Sequence, residues 1–266
     1  MEIHIAADAE AGARTVADVV EQTLRETGEL GTVLGLATGD SPVPAYTELI
    51  RRHREEGLSF AGSRAFLLDE YVGLPAGHDQ SYHRFIREQL TSHVDIDDAA
   101  VLSPDGAAAD PVAEAAAYDR RIGEAGGVDL QILGIGSNGH IAFNEPGSSL
   151  VSRTRVVALT PRTIEDNSRY FESPDEVPVR ALTQGLGTIL EARRIVLTAS
   201  GEGKAAAVAR LVEGSVSARW PATILQMHPE VLVVVDEAAA SQLELADYYR
   251  YARDLEVEHA VAGQRV

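Results

Sequence analysis

Two periods of apolar residues alternate along this chain. Residues 3–6 predict a first strand. From 9 to 27, Val16, Val19, Val20 and Leu24 recur near helical spacing. Short runs that are apolar almost throughout follow: TVLGLA at 32–37, RAFLLD at 64–69, VDLQILGI at 128–135, RIVLTA at 194–199 and VLVVV at 231–235. Such runs suit strands buried on both faces of a parallel sheet. A weaker strand is expected at 156–159. Helical patterns fill the intervals, from the Pro42 region to about 56, at 82–90, 111–124, 204–213 and 243–253. Proline near the start of the second helix, with Asp40 and Ser41 before it, is an N-terminal signal.

Strands that alternate with helices predict a Rossmann-like, doubly wound α/β fold, with a mainly parallel sheet and helices on both faces. No linker, repeat or low-complexity tract divides the chain, so residues 1–266 are expected to form one domain. The stretch 161–178 is polar, holds three prolines and has weak periodicity, which predicts a surface loop or lid segment. Open parallel sheets bind ligands at the carboxyl ends of their strands. Four polar clusters fall there: Thr38 to Ser41, Asp69–Glu70, Ser137 to Glu145, and Ser200 to Lys204.

Composition narrows the chemistry. The formal net charge of −18 disfavours nucleic acid and anionic membranes as partners, and means that an anionic ligand needs a local basic focus. Lys204 is the single lysine among 23 basic residues. With no cysteine there is no thiolate chemistry, disulfide or Cys-ligated metal. The eight histidines show no H-x₃-H pair, so no metal site is expected. The start of the chain lacks the basic and apolar regions of a signal peptide, and no run of 18 apolar residues occurs, so a cytoplasmic location is expected.

Each cluster has its own chemistry. The turn at Gly39, Asp40 and Ser41 is either a plain strand–helix connection or a backbone cradle for phosphate. Asp69 at a strand end is either a solvent-facing acid or a general base tuned by burial. Gly134, Gly136 and Gly139 have G-x-G-x-x-G spacing, but Asn144-Glu145-Pro146-Gly147 is turn chemistry where a dinucleotide site needs a helix. In the same loop His140 precedes Glu145 by five residues, a spacing at which a carboxylate can fix the imidazole tautomer for proton transfer. Lys204 at a helix start opposes the helix dipole unless an anion sits there. Arg169 offers a second cation from the lid segment.

Leu68-Asp-Glu-Tyr-Val-Gly-Leu74 and Gly136-Ser-Asn-Gly-His-Ile-Ala-Phe-Asn-Glu-Pro146 resemble the two signatures of glucosamine-6-phosphate deaminases. The likeness runs nearly end to end, through the turn at 35–39, the Ser148–Arg155 stretch, Asn167-Ser-Arg169 and residues 225–228. It implies conversion of glucosamine 6-phosphate to fructose 6-phosphate and ammonia, a small-molecule substrate and no cofactor. Asp69 would be the base at carbon 2, and His140 would assist ring opening. Asn138 and Glu145 would orient His140. Gly39, Asp40, Ser41, Arg169 and Lys204 would hold the phosphate. Members of the family are monomers or larger assemblies, so a homo-oligomer is allowed. Some members carry Asp at the position of Asn138, which leaves His140 with Glu145 as its carboxylate.

The nearest competing reading is a 6-phosphogluconolactonase, which resembles this fold. Glu70-Tyr71 after the acid and Asn144-Glu145-Pro146 after Phe143 favour the deaminase. A non-catalytic sugar-phosphate sensor is a further reading, against which Asp69, His140 and Glu145 form a fuller set than sensing requires. Ser148, Ser149 and Arg155 correspond to a partial effector site. In allosterically activated members a basic residue stands two positions after the arginine, and here that position is Val157. Activation by N-acetylglucosamine 6-phosphate is therefore expected to be weak or absent. Saturation curves recorded with and without that effector check this, and a sigmoidal-to-hyperbolic change contradicts it.

Overall fold

A computed structural model describes residues 1–28, 31–171 and 173–263. Its first half contains β1 (Glu2–Ala6), α1 (Ala9–Thr27), β2 (Val33–Leu36), α2 (Val43–Glu56), β3 (Arg64–Leu67), β4 (Asp69–Tyr71), α3 (Tyr82–Gln89), β5 (Val101–Leu102) and α4 (Pro111–Glu124). Its second half contains β6 (Leu130–Leu133), β7 (Arg155–Ala158), α5 (Pro161–Asn167), β8 (Arg180–Thr183), α6 (Leu186–Ile189), β9 (Arg194–Ala199), α7 (Ala205–Glu213), β10 (Val231–Asp236) and α8 (Ala246–Gly263).

Seven strands pair in the order β1-β10-β9-β6-β2-β3-β5, and every pair is parallel. Period-two alternation divides their side chains between two cores. Leu34, Leu36, Ile132 and Val234 pack with Val16, Val20, Tyr46 and Ile86 of α1, α2 and α3. Val33, Leu133, Val233 and Val235 pack with Tyr118, Ile189, Val208 and Leu211 of α4, α6 and α7. Helices thus cover both faces, which is why the strands read as continuous apolar runs. From β2 the chain winds through β3 and β5 to one edge. It resumes at β6 on the other side of β2 and winds outward through β9 and β10. The loops that leave β2 and β6 therefore diverge, and a crevice opens at this switch point.

One strand departs from its sequence reading. The run 64–69 divides at Leu68: β3 ends at Leu67, and Asp69 begins β4 in a second sheet of order β4-β8-β7 with antiparallel pairs. Backbone groups leaving the first ladder need new partners. The Leu67 carbonyl accepts from the Tyr118 hydroxyl at 2.8 Å and from Gln184 Nε2 at 3.0 Å, and the Leu68 carbonyl accepts from Gln184 N at 2.8 Å. The reason for the division lies in β8, distant in sequence, which takes Asp69 opposite Thr183.

Other boundaries also differ. Pro42 occupies the cap position of α2 with no side-chain cap bond, so Asp40 and Ser41 are not its capping groups. The weak strand expected at 156–159 is β7, paired with β8. The polar stretch 161–178 holds α5, capped by Thr160, whose hydroxyl accepts from Thr163 N at 3.2 Å, with Pro161 in the first turn. Two short 3₁₀ turns follow, at Ser168–Tyr170 and Pro174–Glu176. Among the described residues no helix is long and apolar enough to cross a membrane.

Gly35 in β2 lies opposite Gln131 in β6. A Cβ on Gly35 would overlap the Gln131 side-chain amide, so a side chain on one strand fills the space that glycine leaves on the other. Gln131 is fully buried and donates to the Ile132 carbonyl at 2.8 Å.

At the end of β2 the Tyr46 hydroxyl donates to the Ala37 carbonyl at 2.7 Å and accepts from Ala37 N at 3.1 Å. Tyr46→Phe strips both buried groups of their partner and is expected to cost about 1–3 kcal/mol. Urea unfolding of the two proteins measures it; equal midpoints would show that the tether contributes nothing.

Candidate active site

A cavity of about 610 Å³ opens at the switch point. Gly39, Asp40 and Ser41 after β2, Asp69 after β3, Asn138 and His140 after β6, and Lys204 after β9 all line it. All four polar clusters recognised in the sequence supply at least one wall. Arg162, Asn167 and Arg169 reach it from α5 and the turn that follows.

Asp69 is 5% exposed. Burial, and then the adjacent Glu70 charge, hold its carboxyl well above the ordinary pKa. Burial also pushes Glu70 up to about 7, although backbone N–H groups of Tyr82, His83 and Tyr71 donate to it. Glu70 thereby fastens the start of α3 to β4. A buried carboxylate of raised pKa is a stronger base than a solvated one once it is ionised.

The loop after β6 runs through tight turns rather than opening a helix. Gly136 N donates to the His140 carbonyl at 2.9 Å, and Gly139 N donates to the Gly136 carbonyl at 2.9 Å. A Cβ at Gly136 would overlap the His140 ring, so glycine there lets the imidazole lie flat on the backbone. Asn138 accepts from His140 N at 3.1 Å and donates to Glu145 Oε2 at 2.8 Å. Glu145 stands behind His140, its Oε2 lying 3.7 Å from Nδ1, beyond hydrogen-bond reach. Burial opposes its ionisation, yet the His140 ring, the Thr163 hydroxyl and the Asn138 amide hold its pKa down to about 2. Glu145 is therefore an anion at any working pH.

The cations gather at the mouth. Lys204 caps α7 and donates from Nζ to the Ile135 carbonyl at 2.7 Å. Arg169 pairs with Asp40 at 2.9 Å, so two residues expected at one phosphate meet each other across the opening. Arg162 donates to Ser137 Oγ at 3.0 Å. Asn167 lies in the Asn167-Ser-Arg169 stretch of the resemblance, whereas Arg162 and Thr163 were not singled out in the sequence. The Thr160-Pro161 cap was their one signal, and the prolines around it concealed a helix. Nor was Tyr82, whose ring stacks with Phe143; Tyr71, part of the first signature, lies tilted against Phe143, its hydroxyl accepting from Asn167 at 2.8 Å.

Of the expected effector residues, Arg155 meets Ser148 Oγ at 3.1 Å and Asn144 Oδ1 at 2.9 Å. Ser149 is exposed and its hydroxyl accepts from Val151 N at 3.4 Å. Among the described residues no three His, Asp or Glu side chains form a metal-ligating group.

An open parallel sheet with acid–base groups and cations around one cavity at its switch point defines an α/β enzyme. The family model described as glucosamine-6-phosphate isomerases/6-phosphogluconolactonase matches residues 6–234. A glucosamine-6-phosphate deaminase of Corynebacterium aurimucosum is 60% identical over 237 residues, covering 89% of this chain and 93% of its own. A solved monomeric glucosamine-6-phosphate deaminase superposes with a TM-score of 0.88 at 42% identity, covering 91% of this chain and all of its own. The 6-phosphogluconolactonase of Trypanosoma brucei superposes at 0.73 with 21% identity, over 91% of this chain and 98% of its own, a likeness of fold alone. This chain belongs to the glucosamine-6-phosphate isomerase/6-phosphogluconolactonase family.

The buried acid has a thermodynamic signature. A carboxyl whose folded pKa exceeds its unfolded value contributes stability below the unfolded pKa and loses it as pH rises through the folded one. Asp69→Asn removes that loss. Its Tm is expected to exceed wild type by a few degrees near pH 8, with the gap closing toward about pH 4. Thermal scans across this range decide it, and a gap independent of pH would contradict it.

Proposed function

We propose that this chain is a glucosamine-6-phosphate deaminase, converting glucosamine 6-phosphate and water to fructose 6-phosphate and ammonia. One observation carries the assignment of roles: a buried Asp69 of raised pKa and a carboxylate-backed His140 face the same cavity, which Lys204, Arg162 and Arg169 also line.

The steps follow from what each group can do. Lys204, Arg169 and the turn at Gly39–Ser41 hold the phosphate, a remote anchor whose binding energy orients the reacting carbons. His140, kept in register by Asn138 and Glu145, moves the proton that opens the sugar ring between the anomeric hydroxyl and the ring oxygen. The aldehyde so formed acidifies the adjacent carbon 2. Asp69 removes that proton, the C–H bonding pair becomes the double bond between carbons 1 and 2, and the carbonyl oxygen takes a proton. An enol bearing the amine results, and nitrogen gives a proton back when the imine forms. Asp69 returns the proton to carbon 1, which leaves an imine at carbon 2. Water adds to that carbon, the nitrogen takes a proton and ammonia departs, leaving the ketose. No electron leaves the substrate, so no redox partner enters. The pairing of Arg169 with Asp40 supplies an exchange: an incoming phosphate competes with the Asp40 carboxylate for the guanidinium. The effector residues Ser148, Ser149 and Arg155 are read as a partial site, with Arg155 engaged internally by Asn144 and Ser148.

The test is ammonia release from glucosamine 6-phosphate, with fructose 6-phosphate measured alongside. Wild type is expected to form both in equal amounts. Asp69→Asn is expected to lose nearly all activity, by a factor of about 10³ or more, since the group that takes the carbon 2 proton is gone. Absence of ammonia with wild type, together with hydrolysis of 6-phosphogluconolactone, would overturn the proposal in favour of the lactonase reaction.

A further inference from the structure

We propose that Thr163, braced by Thr160, is a positioning residue: its hydroxyl fixes Glu145 behind His140 and so makes catalysis depend on the seating of α5. This rests on the deaminase reading of the site above.

The argument begins with the two oxygens of Glu145. Oε2 receives the Asn138 amide at 2.8 Å, from the same loop. Oε1 receives the Thr163 hydroxyl and, at 3.3 Å, the Thr160 hydroxyl. The two threonine hydroxyls stand 2.9 Å apart. Glu145 is 8% exposed and Thr163 6%, so water competes little for either group. His140 Nδ1 is buried with no partner at hydrogen-bond distance, and the nearest carboxylate oxygen is 3.7 Å away. A fraction of an ångström therefore separates a carboxylate that orients the ring from one that does not. Asn138 and Thr163 hold it from opposite sides.

Only one of these holders belongs to the loop that carries His140. Thr163 lies in the first turn of α5, and Thr160 is the cap of that helix. The same helix spans the cavity through Arg162 to Ser137 and Asn167 to Tyr71. α5 therefore covers the cavity and also grips the acid–base pair at its back. Displacing the helix withdraws a charge-assisted hydrogen bond from Glu145, and ring opening loses its aligned histidine. Unproductive proton transfer in an uncovered site is suppressed by the same contact.

Three variants of the intact enzyme test this: Thr163→Val, which keeps the shape and removes the hydroxyl; Thr163→Ser, which keeps the hydroxyl; and Thr160→Val/Thr163→Val. With glucosamine 6-phosphate, Thr163→Val is expected to lower kcat about tenfold to a hundredfold with KM little changed, the range of a lost hydrogen bond to a charged group. Serine is expected to restore most of kcat, and the double variant to fall below Thr163→Val. A second readout needs no turnover. In protein with ¹³C-labelled glutamate carboxyls, Glu145, assigned by its loss in Glu145→Gln, is expected to titrate at higher pH in Thr163→Val than in wild type, because a donor to the charged form is gone.

Unchanged kcat with an unchanged titration overturns the proposal. So does a serine variant as impaired as the valine one, which would make Thr163 a packing residue. A rise in KM with kcat preserved overturns it too, since the hydroxyl would then serve the substrate directly. If wild type releases no ammonia the deaminase reading fails, while the titration still decides whether Thr163 holds Glu145.

Discussion

The interruption of the chain at Leu68 is the constraint on which the site depends. A continuous strand over 64–69 would carry Asp69 up the parallel sheet. Instead the Leu67 and Leu68 carbonyls leave the ladder and are taken by Tyr118 and Gln184. The next three residues pair with β8 in a different sheet. That transfer sinks Asp69 beneath a second layer of structure while leaving it on the cavity wall. The same second sheet ends in the segment that becomes α5, by way of β7. Asp69 and α5 are thus both set by one piece of antiparallel structure laid across the end of a parallel one.

Burial and hydrogen bonding tune three carboxylates of this site to different ends. Asp69 and Glu70 are buried and like-charged, and both are pushed up. Glu145 is also buried, but enough donors converge on it to keep it ionised. Glu70 and Glu145 each receive three hydrogen bonds, but Glu145 is the less deeply buried and has the His140 ring beside it as well. Outside, the protein is strongly acidic, so the basic groups at the mouth act over short distances against a repulsive background. Retention of an anionic substrate then falls to contact rather than to long-range attraction.

Much of this was legible in the chain. The buried strands were visible because both faces are covered and each run is apolar throughout. The four polar clusters were visible because a parallel sheet places every strand's carboxyl end on one side. What escaped was set by partners distant in sequence. β4 is three residues long and has no period of its own, and its identity comes from β8, more than a hundred residues later. The helix α5 was not seen within the expected loop or lid segment because seven residues show too little periodicity to stand out among prolines and polar residues. Ser41 and Asp40 looked like caps, but Pro42 took that position. Local signals proposed several elements correctly and tertiary pairing decided the remainder.

The pairing of Gly35 with Gln131 has a consequence for how this sequence can change. The glutamine amide occupies the volume above the glycine in the neighbouring strand. A Cβ at 35 forces the buried Gln131 amide aside, whereas Gln131 can shorten first, leaving a void and an Ile132 carbonyl without that donor. The two substitutions are accessible in one order and obstructed in the other. Alanine at 35 is therefore reached more easily through a prior change at 131, which gives this contact a preferred direction in sequence change.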